Sequence, residues 1–257
     1  MDTTPLAPSR SVVCWFSCGI PSAVAAYKAL QRFGSSLVII RTPILQEHSD
    51  NERFHRDIEQ WLGHPIKLVV NPAYPRSDCN EVWRKFRYMS NPSGAPCTLH
   101  LKKGARYYWE DHNPCDSIIL GYTLEEQERA QRFIAWEDPR LLPILVEEGL
   151  SRNDCARIVR AAGIKFPVLY DLGFPNNNCI GCVKSSSPTY WNAIRRHFPS
   201  EFLERAQLSR ELNARLVIYR GNRIFLDELP PDAFSAPMQT IDPFDCGLFC
   251  DQLPAHS

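Results

Sequence analysis

The stretch Ser11–Leu30, SVVCWFSCGIPSAVAAYKAL, constrains the fold of this chain more than any other. It opens with an apolar run that is typical of a buried parallel strand, continues through a short polar turn, and ends in an alanine-rich run with apolar residues at helical spacing. This order predicts a strand, a tight turn and a helix, so that the helix N-terminus and its unpaired N–H groups lie at the mouth of a sheet.

Such a turn can hold a phosphate or a sulfate, and the candidate anion-binding residues are Ser17, Cys18, Gly19 and Ser22. A strand–turn–helix corner without a ligand would show the same pattern, so both interpretations stay open. No Gly-Lys-Ser/Thr sequence closes the turn, which excludes the Walker type of phosphate loop.

Two further strand-and-helix units follow directly. Leu37–Arg41 reads as a second buried strand, a helix begins near Asp50 or Asn51 and stops at Gly63, and PIKLVV gives a third strand. The order β-α-β-α-β predicts an α/β fold: a twisted parallel sheet with helices on both faces. Ligands of such sheets bind beyond the carboxyl ends of the strands.

The middle of the chain continues this pattern. Ser117–Leu120 is predicted as a fourth strand that ends in Gly121, and Leu141–Leu145 as a short fifth strand. The charged helix between them carries Gln127, Arg129 and Arg132 near the carboxyl end of the fourth strand. These side chains either face the ligand edge or belong to a solvated helix with i,i+4 pairs.

From Val168 onwards the character of the chain changes. A segment rich in Pro, Gly, Asn and Ser carries a C-x-x-C, and it is followed by strongly helical sequence, a hairpin around Gly221-Asn222 and a loop-like tail. We therefore predict a nucleotide-binding α/β domain over residues 1–175 and an irregular, cysteine-containing C-terminal region over residues 176–257.

The charge balance and the hydropathy of the chain argue against some classes of protein. The 29 basic residues balance the 29 acidic ones, which argues against a protein that binds nucleic acid through its overall charge, although a local basic patch stays open. No apolar run approaches the roughly 20 residues of a membrane span, and the N-terminus has no signal-peptide pattern. We expect a cytoplasmic protein without a membrane segment.

The ten cysteines do not suggest a disulfide scaffold, because the chain is full-sized and shows no export signal. Four of them stand alone in apolar or helical sequence and are predicted to lie in the core or at the surface: Cys14, Cys79, Cys115 and Cys155.

Cys179 and Cys182 form the C-x-x-C, a spacing shared by zinc sites, iron–sulfur clusters and redox dithiols. Cys97 lies upstream, close to Lys102 and Lys103, and three thiolates near cations suit an iron–sulfur cluster beside an anionic substrate. A zinc site would instead use Cys179, Cys182, Cys246 and Cys250.

The order of these pieces resembles the PP-loop superfamily and, within it, the phosphoadenosine phosphosulfate (PAPS) and adenosine phosphosulfate (APS) reductase family. The resemblance covers about Ser11 to Cys250. Its motifs are the serine-containing loop Ser17–Val24, the helix start Asp50–Phe54, Cys97 with Lys102-Lys103, the segment Gly121–Arg132, Asp171-x-Gly173-Phe174, Ile180-Gly181-Cys182 and the tail Asp245-Cys246-Gly247-Leu248.

The resemblance implies a PP-loop (HUP-like) fold and a sulfonucleotide reductase, an oxidoreductase that binds an adenine nucleotide. Cys246 would be the nucleophile and form an S-sulfo intermediate, with Lys102, Lys103, Arg129 or Arg132 neutralising the charge of the nucleotide. A [4Fe–4S] cluster would be held by Cys97, Cys179 and Cys182, with Cys250 as a candidate fourth ligand or resolving thiol. A thiol reductant such as thioredoxin and a homodimer are compatible with this interpretation.

Departures from the family pattern support two alternatives. Thr98 stands where cluster-bearing members have a second adjacent cysteine, the C-x-x-C ends rather than starts at Cys182, and Phe249 replaces the terminal histidine. A three-cysteine set is similar to that of the tRNA thiolases, which use ATP, pass sulfide from an open iron and bind nucleic acid. The other alternative is a zinc-stabilised binding protein without catalysis.

Overall fold

A parallel four-stranded sheet forms the centre of the computed structural model, which describes residues 11–91 and 94–239. The order across the sheet is β3-β2-β1-β4, and every neighbouring pair is parallel. The strands are β1 Val12–Trp15, β2 Leu37–Arg41, β3 Ile66–Leu68 and β4 Ser117–Ile119. The first strand of the chain therefore lies in the interior of the sheet, with the ends of β1, β2 and β4 next to one another.

Helices connect the strands and cover the sheet. In the described residues they are α1 Ile20–Phe33, α2 Asn51–Leu62, α3 Cys79–Phe86, α4 Gly104–His112, α5 Gln127–Trp136, α6 Ile144–Glu147, α7 Arg152–Ala161, α8 Val168–Asp171, α9 Pro188–His197 and α10 Pro199–Glu211. A π-helical segment, Thr98–Lys103, runs directly into α4. A two-stranded antiparallel hairpin, β5 Val217–Tyr219 and β6 Asn222–Ile224, follows α10.

Both faces of the sheet are covered, as the alternation of side chains along β1 requires. Cys14 points into a core built with α1, α2 and α7. Val13 and Trp15 point to the opposite face, where residues of α4 and α5 cover them. The predicted α/β class, with a parallel sheet between two helical layers, is therefore confirmed.

Capping residues, glycines and prolines in the sequence mark the helix ends that the structure shows. Gly63 ends α2 with the left-handed backbone (φ 57°) that glycine adopts without strain. Ser151 begins α7 through a reciprocal capping box with Asp154. The strongly helical stretch after the C-x-x-C is divided at Pro199 into α9 and α10, because proline cannot continue the hydrogen-bond ladder of the preceding helix.

The predicted fifth strand over Leu141–Leu145 is wrong. Only a single parallel bridge joins Leu141 to Ile118, and the chain turns into α6 at Ile144. Pro143 explains the difference, since it has no N–H to donate to a sheet ladder.

A third cluster of buried side chains lies away from the two faces of the sheet. It joins α3, with Cys79, Val82 and Trp83, to α9, α10 and the hairpin, where Trp191 is completely buried. This packing brings the cysteine of α3 against the C-terminal region. The division into residues 1–175 and 176–257 stays a prediction. None of the described helices is both long and apolar enough to cross a bilayer.

Candidate functional site

The turn between β1 and α1 is held together by Ser22. Its hydroxyl accepts hydrogen bonds from the backbone N–H of Ser17 (3.1 Å) and from the Ser17 hydroxyl (3.1 Å), and it donates to the carbonyl of Gly19 (2.8 Å). Cys18 takes a left-handed backbone conformation (φ 57°) at the tip of the turn. The predicted strand–turn–helix corner is therefore a tight, internally bonded loop.

The first turn of α1 is partly covered by a tyrosine. The N–H of Ile20 donates to the hydroxyl of Tyr170 at 3.3 Å, and burial raises the pKa of that phenol. An anion that approached the helix N-terminus through this N–H would have to displace Tyr170. The sequence analysis did not find this contact, because α8 lies far away in the chain.

The side chain of Cys18 does not face a ligand. Its thiol is buried, lies 3.8 Å from the carbonyl of Asn51, and has a pKa that burial raises strongly. Only the backbone of Cys18 is therefore suited to anion binding. Its carbonyl accepts a 2.7 Å hydrogen bond from the side chain of Asn177, which connects this loop to the segment of the C-x-x-C.

Gly121 lies against the same loop, as the sequence predicted for the end of β4. A Cβ atom added at Gly121 would lie 2.7 Å from the backbone nitrogen of Ser22 and 2.8 Å from its Cα. Only a residue without a side chain allows this approach. Two predicted site residues from separate segments, Ser22 and Gly121, are thus brought together.

A buried cation at the end of β2 was missed by the sequence analysis. Arg41 is ion-paired with Glu47 at 3.2 Å and with Glu52 at 2.9 Å. Desolvation acts to lower the pKa of Arg41, but the nearby thiol of Cys18 and the Glu47 carboxylate raise it overall. The signal that could have found it is a charged residue in the last position of an otherwise apolar strand.

Three thiols meet beside this edge of the sheet. The Cys79 thiol lies within hydrogen-bonding reach of Cys97 and of Cys179, and Cys182 interacts electrostatically with Cys179 and Cys97. We call these four residues, Cys79, Cys97, Cys179 and Cys182, the thiol cluster. Cys97, Cys179 and Cys182 were predicted from the sequence. Cys79 was assigned to the core or surface, and although it is buried, its thiol also belongs to this cluster.

Gln46, in the segment after β2, holds the parts of the thiol cluster in place. Its side-chain oxygen accepts from the backbone N–H of Cys79 at 2.9 Å, and its backbone carbonyl accepts from the N–H of Ile180 at 2.9 Å. Gly181 supplies the left-handed backbone (φ 64°) between the two cysteines of the C-x-x-C. The N–H of Cys182 donates to the Tyr190 hydroxyl at 2.7 Å.

The electrostatics of the thiol cluster favour thiolates at two positions. Hydrogen bonding from Cys79, with smaller effects of Trp83 and Lys102, lowers the pKa of Cys97 to about 6. Cys79 also lowers the pKa of Cys179, with help from the charge of Lys102. Burial and the Cys179 thiolate raise the pKa of Cys182.

Lys102, in the π-helical segment before α4, interacts electrostatically with these thiols. Its side chain is accessible to solvent, yet the surrounding protein desolvates its ammonium group. Desolvation alone would lower the pKa of Lys102, but the negative charges of Cys179, Glu47 and Cys182 raise it above its usual range. The cation and the thiols are thus electrostatic partners.

The other predicted cations lie elsewhere. Lys103 forms a 2.6 Å ion pair with Glu137, and Arg129 a 2.6 Å pair with Glu126 while its guanidinium lies over the Tyr122 ring. Gln127 and Arg132 are exposed on α5, and Arg132 lines an open depression with Trp136. No described contact joins these residues of α5 to the turn or to the thiol cluster, and their role in nucleotide binding stays a prediction.

Thiols are by their chemistry good metal ligands. Among residues 11–91 and 94–239, however, no group of three or more His, Cys, Asp or Glu side chains is arranged to hold a metal ion. Trp83 Nε1 is buried next to Cys97; it makes no hydrogen bond of normal geometry, yet it lies close enough to help lower the pKa of that thiol. Cys246 and Cys250 lie outside the described residues.

The fold and this site define an α/β protein with a four-stranded parallel sheet, compatible with a Rossmann-like fold, and with a group of cysteines near the segment that follows β2. Comparison with protein-family models and with curated proteins found no match to the chain.

Proposed function

We propose that this protein is a sulfonucleotide-reductase-like enzyme of the PP-loop type, which binds an adenine nucleotide and carries out thiol- and iron–sulfur-dependent sulfur chemistry. The observation that carries the proposal is the meeting of Cys79, Cys97 and Cys179 beside Lys102, next to the loops at the carboxyl edge of the sheet. Thiols from three separate segments, a cation and an anion-binding turn are the parts that such chemistry needs.

The thiol cluster would hold a [4Fe–4S] centre. Four cysteines are the usual ligand number for such a cluster, and with Cys79 the set is complete without Cys250. When bound, the cluster would supply negative charge and redox capacity beside the substrate. The same four thiolates could hold a zinc ion, which is the alternative cofactor.

The nucleotide would bind across the turn at the end of β1. The backbone N–H groups of Cys18 and Gly19 would face a phosphate, with Tyr170 turning away from Ile20. Lys102, whose side chain is accessible to solvent, would neutralise the sulfate or phosphate charge. The close approach of Gly121 to the backbone of Ser22 would place the chain that follows β4 beside the bound nucleotide.

The reaction would follow the chemistry of a thiolate nucleophile. Cys246 would attack the sulfur of APS or PAPS, the S–O bond to the phosphate would break, and the nucleotide would leave with that oxygen. The protein would then carry a cysteine S-sulfonate. A dithiol reductant such as thioredoxin would release sulfite and be oxidised to its disulfide, either directly or with Cys250 as the resolving thiol. On this proposal the protein acts in the cytoplasm.

The complete set of four thiols is the reason to prefer a reductase to a sulfurtransferase of the tRNA-thiolase type. A cluster with four protein ligands has no open iron to carry sulfide. ATP-dependent release of pyrophosphate by the purified protein would favour the sulfurtransferase instead.

The test is anaerobic purification of the full chain, measurement of iron, sulfide and zinc, and then incubation with APS or PAPS. We expect iron and sulfide in the protein and an S-sulfo adduct on Cys246 in the intact mass. The matched control is Cys246→Ser, which should bind the nucleotide but form no adduct. An unchanged mass of a protein loaded with its cluster would overturn the reductase assignment.

A further inference from the structure

Arg205, in α10, is a buried cation without a carboxylate partner. Its side chain is almost completely buried (1% exposed), and its Nη1 donates to the side-chain oxygen of Asn80 at 2.5 Å. No carboxylate lies within ion-pair distance of it among the described residues. Its Nε has no hydrogen-bond partner. The side-chain amide of Asn80 in turn donates a 2.8 Å hydrogen bond to the carboxylate of Glu204, which is exposed. Arg205 is thus linked to a carboxylate only through Asn80.

The other buried arginines of the described structure are neutralised locally. Arg41 pairs with Glu47 and Glu52, and Arg106 lies within 3.7 Å of Glu110 and Asp138. This is the expected arrangement, because burying an unpaired charge costs several kcal/mol even after relaxation. Arg205 departs from it, because its direct partners among the described residues are the neutral side chain of Asn80 and the ring of Trp83.

The surroundings of Arg205 indicate where that charge lies. Its Nε is close to Gly181, between the two cysteines of the C-x-x-C: a Cβ added at Gly181 would lie 3.4 Å from it. Its guanidinium stacks over the ring of Trp83 at 4.6 Å, and Trp83 borders Cys97. The Nε of Arg205, which has no hydrogen-bond partner, thus lies next to the C-x-x-C, and its guanidinium lies over a ring that borders Cys97.

We propose that Arg205 is a positioning residue whose counter-ion is the metal–thiolate centre of the thiol cluster. A divalent core surrounded by four thiolates keeps a net negative charge, whether it is an iron–sulfur cluster or zinc. The solvent-exposed Lys102 and the buried Arg205 would be the two cations next to this charge. This inference rests on the proposed function, because it requires that the thiols hold a metal.

The role of Arg205 can be tested through the properties of the centre itself. Arg205→Gln removes the charge and Arg205→Lys keeps it. Asn80→Asp leaves Arg205 in place but gives it a carboxylate partner. We expect Arg205→Gln and Asn80→Asp to make the midpoint potential of the iron–sulfur centre more negative, since loss of nearby positive charge disfavours reduction. Arg205→Lys should stay near the wild-type value.

A second measurement does not depend on the native metal. Apo-protein titrated with Co²⁺ against a chelator, followed by the thiolate-to-cobalt absorption, should show roughly 10- to 100-fold weaker binding for Arg205→Gln and Asn80→Asp, the usual effect of losing an outer-shell partner. The matched control is Arg195→Gln, a partly buried arginine of α9 that donates to the carbonyls of Leu226 and Leu229. It should change neither the potential nor the affinity.

The outcomes separate the two proposals. If the wild-type protein binds neither iron nor Co²⁺ through its thiols, the proposed centre itself fails. If the wild type binds metal and Asn80→Asp and Arg205→Gln leave both potential and affinity unchanged, only the role of Arg205 is overturned. Circular dichroism of each variant establishes that it is folded, and Asn80→Asp decides the question if Arg205→Gln does not fold.

Discussion

The side-chain amide of Asn177 donates a 2.7 Å hydrogen bond to the backbone carbonyl of Cys18, and so joins the segment that carries the C-x-x-C to the turn that begins α1. The same amide donates to the side-chain oxygen of Asn51 at 2.7 Å. Asn177 is buried, so both acceptors lie away from water. The two parts of the candidate site, the turn before α1 and the segment that carries the C-x-x-C, are therefore connected through this side chain.

Asn177→Ala should loosen this coupling. The carbonyl of Cys18 would lose its partner in the interior, which costs about 1–3 kcal/mol, and the turn should bind an adenine nucleotide more weakly. Urea denaturation and equilibrium binding measure the two effects. Asn178→Ala, an exposed neighbour in the same loop, is the control and should stay within about 0.5 kcal/mol of the wild type. Equal stability of the two variants would contradict the prediction.

Gly121→Ala should push β4 away from the turn. The new methyl group would collide with the backbone of Ser22, which cannot move as a flexible side chain could. We expect a loss of about 1–3 kcal/mol, measured by denaturation, together with weaker nucleotide binding. Gly19→Ala is the matched control, because a Cβ there would come no closer than 3.5 Å to Tyr170. Similar losses of stability for the two variants would contradict the prediction, because they would show that the close approach at Gly121 is not the cause of the loss.

Cys79→Ser should remove most of the iron and the broad absorption of the cluster from anaerobically purified protein, because a serine hydroxyl is a poor substitute for a thiolate ligand. Cys155→Ser makes the same chemical change at a buried cysteine of α7, outside the thiol cluster, and should leave the iron content unchanged. Iron content and absorption spectra of the two variants decide the outcome. Full iron in Cys79→Ser would indicate a three-cysteine centre and favour the sulfurtransferase.

Asp138→Asn should destabilise the protein in a pH-dependent way. Hydrogen bonds from Arg140 lower the pKa of the buried Asp138, with a further contribution from Arg106. A carboxyl with a lowered pKa stabilises the fold above its unfolded pKa of about 3.9 and loses that contribution as the pH falls through its folded value.

The expected loss for Asp138→Asn is about 1–3 kcal/mol at pH 7, because Arg140 is partly exposed and both Arg140 and Arg106 keep Glu110 as a partner. The difference from the wild type should shrink progressively below about pH 4. Denaturation curves between pH 3 and pH 7 measure it, with the exposed Asp111→Asn as the control. A difference that does not change with pH would mean that the effect is due to packing and not to charge.

Strands, helix ends and turns that are determined by residues close together in the chain could be predicted from the sequence alone. The strand Leu37–Arg41 has the predicted bounds, and Gly63 and Ser151 end and begin their helices as expected. The hairpin predicted around Gly221-Asn222 forms, with its turn one residue earlier, at Arg220-Gly221. Alternation, capping and turn preferences act over a few residues, and no distant contact overrides them at these positions. The parallel sheet with helices on both faces follows from their order.

Contacts between distant segments were decided by the tertiary structure. Cys79 looked like an ordinary buried cysteine, and only the packing of α3 against the C-terminal region brings its thiol to Cys97 and Cys179. Tyr170 over the start of α1 and Arg205 behind Gly181 likewise have no local sequence signal. A sequence pattern reports which side chains are buried, but which buried groups face one another depends on how the helices pack, and that arrangement creates the candidate site.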